Sequence, residues 1–152
     1  MRLFGMGLYV LLLWCAGGCQ PGPKPIDYGA ETCSFCRMTI VDRQHAAEIV
    51  TNKGKVYKFD AVECMVQSIG EIGKESIAIY LCNTFNEPGK LADATAAAYL
   101  ISEALPSPMG ANLTAFTSAE EATAAMETHG GNVYLWESLV THLERQNAAF
   151  HQ

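Results

Sequence analysis

Basic residues are scarce in this sequence, and charged residues are few altogether. The 152 residues include 10 Lys and Arg against 16 Asp and Glu, which gives a net charge of −6, and charged residues make up 17% of the chain. Proteins that bind nucleic acids use clustered Lys and Arg to neutralise phosphates, and this sequence contains no such cluster. The charge distribution therefore argues against nucleic acid as a partner.

Several motifs that define enzyme and cofactor classes are also missing. The sequence contains no Gly-rich phosphate-binding loop, no GxSxG element and no HExxH zinc motif. Arg37 follows Cys36, so the CxxCH pattern of covalent haem attachment is absent. The four histidines are scattered; His45, just before a predicted strand, is either an accessory metal ligand or, as we expect, a solvated side chain. The cysteines and methionines are left as the residues that carry chemistry.

The N-terminus has the pattern of a secretory signal. Arg2 supplies a positive charge, residues 3–14 are almost entirely apolar, and small residues follow at 16–18. The apolar run is too short for a comfortable transmembrane helix. Cys19 after Ala-Gly-Gly resembles the lipobox of bacterial lipoproteins, which predicts a signal peptide over residues 1–18 and a lipid on Cys19. A cleaved signal without a lipid is the alternative.

Residues 19–30 are predicted to form a lipidated tether, because they contain three prolines and two glycines and have no apolar periodicity. The predicted domain spans residues 31–146, and residues 147–152 form a tail. We expect the protein to lie in the bacterial cell envelope, held by its lipid and facing the periplasm. Gln20 stands where an Asp often marks retention in the inner membrane, so the outer membrane is favoured.

Two thiols and a thioether lie close together in the stretch Cys33-Ser34-Phe35-Cys36-Arg37-Met38. Thiolate and thioether are soft donors that favour Cu(I) over hard cations. A turn in Cys33-x-x-Cys36 would bring two sulfurs to one side, and an extended backbone would do the same for Cys36 and Met38. This spacing predicts a Cu(I) site. The alternatives are a structural Zn²⁺ corner or a disulfide, the usual state of thiols outside the cytoplasm.

A third sulfur donor must come from elsewhere in the chain. Met109 is the best candidate, because a flanking proline and glycine place it on a stiff loop where it cannot be ordinary core filler on a helix face. Cys64 and Met65 repeat the soft-donor pattern at the start of a predicted helix and are further candidate ligands; their alternative is burial in the core. Cys82, at the end of a strand, is predicted to be structural or a disulfide partner.

Periodicity and turn signals predict an α+β fold, a small mixed domain of two β-β-α-like halves. The first half is predicted to contain strands at 46–51 and 55–60 around a turn at 52–54, then a helix at 61–69 capped by Asp60 and ended by Gly70 and Gly73. Next come a strand at 77–82, a loop at 83–89 and a segment at 91–103 with both helix and strand signals. The second half is predicted to contain a loop at 105–110, a strand at 112–117, a helix at 119–128 capped by Ser118, a strand at 132–136 and a helix at 137–146.

Four stretches follow one another in a specific order: Cys33 to Ile40, Gly54 to Asp60 with Glu63-Cys64-Met65, Ala94 to Tyr99, and Ser107-Pro108-Met109-Gly110 through Phe116. In this order they resemble the NosL family, lipoproteins that serve the maturation of nitrous oxide reductase. The resemblance covers residues 31–136, most of the predicted mature chain.

The resemblance implies a Cu(I) chaperone that delivers copper toward the copper centres of nitrous oxide reductase, with a membrane ABC-type complex and the reductase as partners. It implies an assembly factor and not an enzyme, with a fold akin to organomercurial lyase. The copper ligands that it implies are Cys36, Met38 and Met109. Many members have a single cysteine where this chain has two, so Cys33 leaves open whether one thiolate or two bind copper.

Two other functions would use the same residues. A thiol–disulfide redox protein would use Cys33 and Cys36, but a redox CxxC motif usually opens a helix after a strand, and no strand is predicted before Cys33. An enzyme like organomercurial lyase would use both thiols with Asp60 as the acid, but thioether donors do no acid–base work. The chaperone is therefore the preferred hypothesis.

Overall fold

A computed structural model of the chain describes residues 21–150, apart from the side chain of Phe150. The predicted signal peptide and the candidate lipidation site Cys19 lie outside the described residues. Within residues 21–150, no helix is both long and apolar enough to cross a membrane.

Strands and helices alternate irregularly along the chain. Their order is β1 (Ala47–Thr51), β2 (Val56–Phe59), α1 (Val62–Ile72), a 3-10 turn (Lys74–Ser76), β3 (Ile77–Thr84), β4 (Glu87–Asp93), β5 (Ala98–Ile101), β6 (Leu113–Phe116), α2 (Ala119–His129), β7 (Asn132–Leu135) and α3 (Trp136–Phe150). The predicted α+β class is confirmed.

The first sheet is antiparallel and has the strand order β2-β1-β3-β4. Its second strand, β1, is buried along its whole length, as expected for apolar and β-branched residues in a central strand. The register places Ala47 opposite Phe59 on β2 and opposite Cys82 on β3. Helix α1 follows β2 after two residues and packs against β1 and β2, so the end of β2 and the start of α1 lie side by side.

The second sheet is also antiparallel and has the order β6-β5-β7. Helix α2 packs on this sheet, and α3 packs against α1. The main hydrophobic core joins both sheets, with Tyr99 of β5 and Trp136 of α3 in ring contact at a centroid distance of 6.2 Å. A small second core lies between β5, β6 and α2.

Most predicted elements are confirmed, with shifts of one to a few residues at their ends. The turn at residues 52–54 forms with Gly54 at φ 77°, a conformation that glycine adopts without strain. Ser118 caps α2 by accepting a hydrogen bond from the amide of Glu121, and Gly130 ends that helix. Helix α1 passes through Gly70 and ends before Gly73, and α3 includes residues predicted to be a tail.

Between residues 83 and 103, the predicted loop is wrong, and the segment with both helix and strand signals forms strands. The predicted loop at 83–89 is a tight turn followed by β4, which pairs with β3. The helix signal at 91–103 is also misleading, because this segment contains the end of β4, a turn and then β5. Ala94, Ala97 and Ala98 are buried, so tertiary packing outweighs the helix propensity of the Ala-rich run.

The segment from Lys24 to Glu31 lies against the domain. The Lys24 amide donates a hydrogen bond to Glu48 Oε1 at 3.0 Å, and Ile26 is buried in the main core. Lys58 Nζ donates to the carbonyl of Pro25 and pairs with Glu31 at 2.7 Å. Residues 24–30, more than half of the predicted tether, are therefore fastened to the folded domain.

Candidate metal centre

Four donor side chains converge beside the start of α1. The sulfur atoms of Cys33, Cys36 and Cys64 and a carboxylate oxygen of Asp60 all lie within 4.8 Å of one another. Cys36 is half-buried, whereas the other three residues are buried. We call these four residues the thiol cluster. It unites three cysteines that the sequence offered as candidate ligands and adds a carboxylate.

A tight loop carries Cys33 and Cys36. The Cys33 amide donates a hydrogen bond to the carbonyl of Met38 at 2.8 Å, and a single antiparallel bridge closes the base of the loop. Arg37 has φ 68°, in the left-handed region that few non-glycine residues adopt, so the chain reverses directly after Cys36. The turn considered for Cys33-x-x-Cys36 is present, whereas the backbone from Cys36 to Met38 is not extended.

Strand β2 and helix α1 supply the other half of the cluster. Asp60 directly follows β2, and Cys64 is the third residue of α1. Asp60 is not the helix cap that its position predicts, since Ala61 is the N-cap and no side chain in the described part of the chain caps the helix. The Asp60 carboxylate instead accepts a hydrogen bond from Cys36 Sγ at 3.5 Å through Oδ1.

The three thiols have different affinities for protons. The Cys64 thiol acts as a hydrogen-bond donor toward Cys33 and lowers the pKa of Cys33 to about 6. The same interaction raises the pKa of Cys64, and burial adds to the rise. Burial also raises the pKa of Cys36. Because the thiolate is the metal-binding form, Cys33 is the thiol of this cluster that is most readily prepared for a soft cation.

The two methionines of the predicted copper site lie on exposed parts of the surface. Met38, at the end of the loop that carries Cys36, is 51% exposed, and Met109 is 36% exposed. Burial in a core is the usual role of methionine. These two side chains are exposed instead, so their thioethers are accessible as ligands. Met65, a further candidate ligand, is fully buried in the main core, which agrees with the alternative that it is a core residue.

Met109 stands on the wall of a cavity of about 790 Å³, which Glu63 and His129 also line. Glu63 is 2% exposed. Its Oε1 atom accepts a hydrogen bond from Ser107 Oγ at 2.5 Å, and burial raises the pKa of the carboxyl group. The loop that carries Met109 is thus fastened to α1, one residue away from Cys64.

The structure also locates the remaining chemical side chains. His45 is 7% exposed, so the expectation of a solvated side chain is wrong. Its Nδ1 atom lies 3.0 Å from Asp42 Oδ2, and its Nε2 atom lies 3.4 Å from Thr114 Oγ1. Cys82 is buried 3.8 Å from the Tyr99 hydroxyl, and burial raises the pKa of this thiol to about 12. Cys82 and the three cluster cysteines are free thiols, and Cys82 is structural.

Asp60 is the member of the cluster that sequence reasoning did not propose as a metal ligand. Its position directly before a helical pattern predicts a helix cap instead. The relevant signal is its position between a strand and a helix whose first turn contains a cysteine. Here Ala61 occupies the N-cap position, and the Asp60 carboxylate lies within 4.8 Å of the Cys64 sulfur.

The fold and the thiol cluster together define a small α+β domain with a candidate metal centre between a surface loop and the N-terminus of a helix. The sequence matches the NosL family model over residues 25–143. The chain therefore belongs to the NosL family.

Structural comparison agrees with this assignment. The chain is similar to the crystal structure of the copper chaperone NosL from Shewanella denitrificans, with a TM-score of 0.66 and 18% sequence identity. The match covers 77% of this chain and 94% of that one. At this identity the likeness concerns the fold. Among curated proteins, none matches this sequence.

Proposed function

We propose that the protein is a Cu(I) chaperone that holds the ion with Cys36, Met38 and Met109. The observation that carries the proposal is the position of Cys36, which is the half-buried edge of a buried thiol cluster and lies two residues from an exposed thioether. Membership of the NosL family supports a metallochaperone over an enzyme. Sulfur donors at an accessible edge suit a soft cation that must both enter and leave.

The two kinds of sulfur divide the work of binding and release. The Cys36 thiolate supplies affinity for Cu(I), the cargo of the protein. The thioethers of Met38 and Met109 are neutral and do not titrate, so they complete the coordination without adding charge. An incoming donor from a partner can replace them one at a time, because each is exposed. Cys33 stands ready as a second thiolate behind Cys36.

An anaerobic Cu(I) titration tests this proposal. The soluble form beginning at Gln20, which retains every residue that the structure describes, is titrated against a competing chromophoric chelator. We expect tight one-to-one binding that is lost in Cys36→Ser and weakened in Met109→Ala. Met126→Ala, which changes a half-buried methionine of the second core, is the matched control and should bind like the parent. Unchanged affinity in the first two variants would show that the proposed ligands are wrong.

We further propose that the copper is delivered toward nitrous oxide reductase through a membrane ABC-type complex. The support is the resemblance of the ordered motifs and the family assignment. In a denitrifying bacterium that lacks its own NosL protein, this chain should raise the copper content of purified reductase. Cys36→Ser should not do so, although it is exported to the same level. Equal copper content with and without the chain would refute this destination.

The anchor and location form a separate part of the proposal. We propose that Cys19 carries a lipid that holds the domain at the envelope, facing the periplasm. Radiolabelled palmitate should be incorporated by the full chain in a bacterial host. Cys15→Ser should retain the label, whereas Cys19→Ser should lose it and release the protein into the periplasmic fraction. Label that persists in Cys19→Ser would place the lipid elsewhere.

A further inference from the structure

A cavity of about 490 Å³ lies beside the segment that leads into the domain. Residues 23–28 form one wall, and Arg43 and part of β4 complete it. We call it the N-terminal cavity. Its lining carries two cationic side chains, Lys24 and Arg43, and a single carboxylate, that of Asp27. None of the proposed copper ligands lines it, so it is separate from the candidate metal centre.

The guanidinium group of Arg43 is held in place by an aromatic ring. Its Cζ atom lies 4.5 Å from the centre of the Tyr28 ring. The Arg43 carbonyl accepts hydrogen bonds from the Gly89 amide and from Asn83 Nδ2, both at 2.6 Å. Asn83 is buried and also donates to the Tyr28 hydroxyl. A guanidinium group stacked on a ring keeps its N–H donors free, in a planar arrangement that matches the oxygens of a phosphate.

The two cations of the cavity are not neutralised by carboxylates. Within residues 21–150, neither Lys24 nor Arg43 forms a salt bridge, whereas Lys58 and Lys90 are paired with glutamates. Both Lys24 and Arg43 are exposed. Most of the acidic surplus lies elsewhere: residues 91–150 contain seven Asp and Glu against one Arg, and none of these lines the cavity. The N-terminal cavity is therefore locally positive on an acidic protein, which favours an anionic ligand.

The place of the cavity in the chain indicates a membrane as the source of that anion. The chain is fastened from residue 24 onward, because the Lys24 amide donates to Glu48 and Ile26 is buried in the main core. The proposed lipidation site, Cys19, lies four residues before Pro23, which lines the cavity. Four fully extended residues span about 14 Å. A lipid on Cys19 would therefore keep this wall of the cavity within about 14 Å of the bilayer surface.

We propose that the N-terminal cavity binds the phosphate headgroup of an anionic phospholipid and so turns this face of the domain toward the membrane. The orientation rests on the lipid anchor proposed for Cys19, whereas headgroup binding does not require it. Arg43 donates to the phosphate oxygens, and the Lys24 ammonium group adds a second positive charge. Pro23 and Pro25 are exposed on the wall and offer an apolar contact to the glycerol ester region, which inorganic phosphate lacks.

The contact is expected to be weak by itself. Each basic residue at an anionic membrane surface changes binding about fivefold, which corresponds to about 1 kcal/mol. Two such residues do not hold a domain at a membrane, and stable attachment generally combines a lipid chain with a basic patch. Headgroup binding therefore orients a domain that the lipid holds.

The test uses the soluble form beginning at Gln20, which carries no lipid. Binding is measured by co-sedimentation at low ionic strength with vesicles of phosphatidylglycerol and phosphatidylcholine in equal parts, and with vesicles of phosphatidylcholine alone. We expect binding to the anionic vesicles, weakened by added salt, and none to the neutral ones. Lys24→Ala and Arg43→Ala should each weaken binding about fivefold. Asp27→Asn should strengthen it, because it removes the carboxylate that opposes the phosphate.

Lys53→Ala is the matched control, because it removes the same charge from an exposed lysine outside the cavity, and it should bind like the parent. Circular dichroism checks that each variant is folded. The proposal is overturned if the parent does not bind anionic vesicles, if Lys53→Ala weakens binding as much as Lys24→Ala, or if inorganic phosphate displaces the vesicles at an equal concentration of phosphate groups. Vesicle binding without palmitate on Cys19 would refute the orientation and the anchor. Palmitate on Cys19 without vesicle binding would refute the headgroup site alone.

Discussion

At the scale of single residues, the fold buries several carboxyl groups, and Glu63 shows that such a group needs hydrogen-bond partners. Ser107 Oγ donates to Glu63 Oε1 and accepts a hydrogen bond from the Leu113 amide at 3.3 Å, while Glu63 Oε2 has no hydrogen-bond partner within residues 21–150. Ser107→Ala would leave buried polar groups unsatisfied, which costs about 1–3 kcal/mol. We expect that loss in the free energy of unfolding measured with urea. Thr123→Ala, which removes a hydroxyl from an exposed helical turn, should change it by no more than about 0.5 kcal/mol; equal effects would contradict the account.

Glu48 gives a prediction about pH. Its side chain is fully buried on β1, and burial raises its pKa above the usual 4.5. A carboxyl group whose pKa is raised by folding stabilises the fold while it is protonated in both states, and this contribution is lost as the pH rises through the raised value. Glu48→Gln removes the charge and keeps an acceptor for the Lys24 amide.

Glu48→Gln should therefore be more stable than the parent at pH 7, and the difference should shrink toward zero below pH 4.5, the usual value for this group. Urea unfolding at both pH values measures the effect. Glu87→Gln, at an exposed position of β4, is the matched control, because it makes the same replacement without removing a buried carboxyl group. A difference for Glu48→Gln that is constant over this pH range would show that the carboxyl group titrates normally.

The kind of chemistry at the candidate site could be predicted from the residue types, but the contacts between its residues could not. Thiols and thioethers in the order Cys33, Cys36, Met38, Cys64 identify soft-metal chemistry without a structure, because few other roles use that set. The partnership of Asp60 with the cluster could not be predicted, since it depends on the cap of α1 falling at Ala61. The burial of His45 also depends on contacts with distant residues, such as Thr114 on β6.

At the scale of elements, two glycines that look alike in sequence have opposite roles. Gly70 lies inside α1 with open space around it, whereas Gly131 has φ 101° and a Cβ there would lie 2.2 Å from the carbonyl oxygen of Ile101. Gly70→Ala should stabilise the protein by about 0.5–1 kcal/mol, because alanine loses less backbone freedom in a helix. Gly131→Ala should destabilise it strongly, because both the conformation and the contact oppose a side chain.

Thermal unfolding of the two variants beside the parent tests this pair. We expect the melting temperature to rise for Gly70→Ala and to fall for Gly131→Ala. A fall in both would mean that α1 ends at Gly70, as its sequence alone predicted. No change in Gly131→Ala would mean that the turn before β7 is free to adopt another conformation.

Element prediction succeeded where local signals and burial agree, and it failed where they conflict. The hairpin turn at residues 52–54 and the cap at Ser118 are set by neighbours in sequence, and both are present. The run from Ala94 to Ala98 has residues that favour a helix, but it forms a turn that leads into β5, and Ala94, Ala97 and Ala98 are buried. The conformation of β5, which begins at Ala98, is decided by its pairing with β6 and β7, which lie at least twelve residues further along the chain.

At the scale of the whole molecule, the domain begins earlier than composition suggests. A boundary at residue 31 was predicted because the preceding segment is rich in proline and glycine. The structure instead ties that segment to both β1 and β2. Ile26 is 9% exposed in the main core, the Gly29 amide donates to the carbonyl of Ile40 at 2.8 Å, and Lys58 contacts Pro25. The family match likewise begins at residue 25.

A soluble form beginning at Glu31 should therefore be less stable than one beginning at Pro21. Exposing the site that Ile26 fills costs about 1.5–3 kcal/mol, and the lost hydrogen bonds to Glu48, Ile40 and Lys58 add to this. Urea unfolding of both forms measures the difference, and Ile26→Ala in the longer form should reproduce a large part of it. Equal stability of the two forms would mean that residues 21–30 do not stabilise the domain and act only as a tether. A loss in the shorter form alone, without an effect of Ile26→Ala, would assign the attachment to the hydrogen bonds and not to the apolar contact.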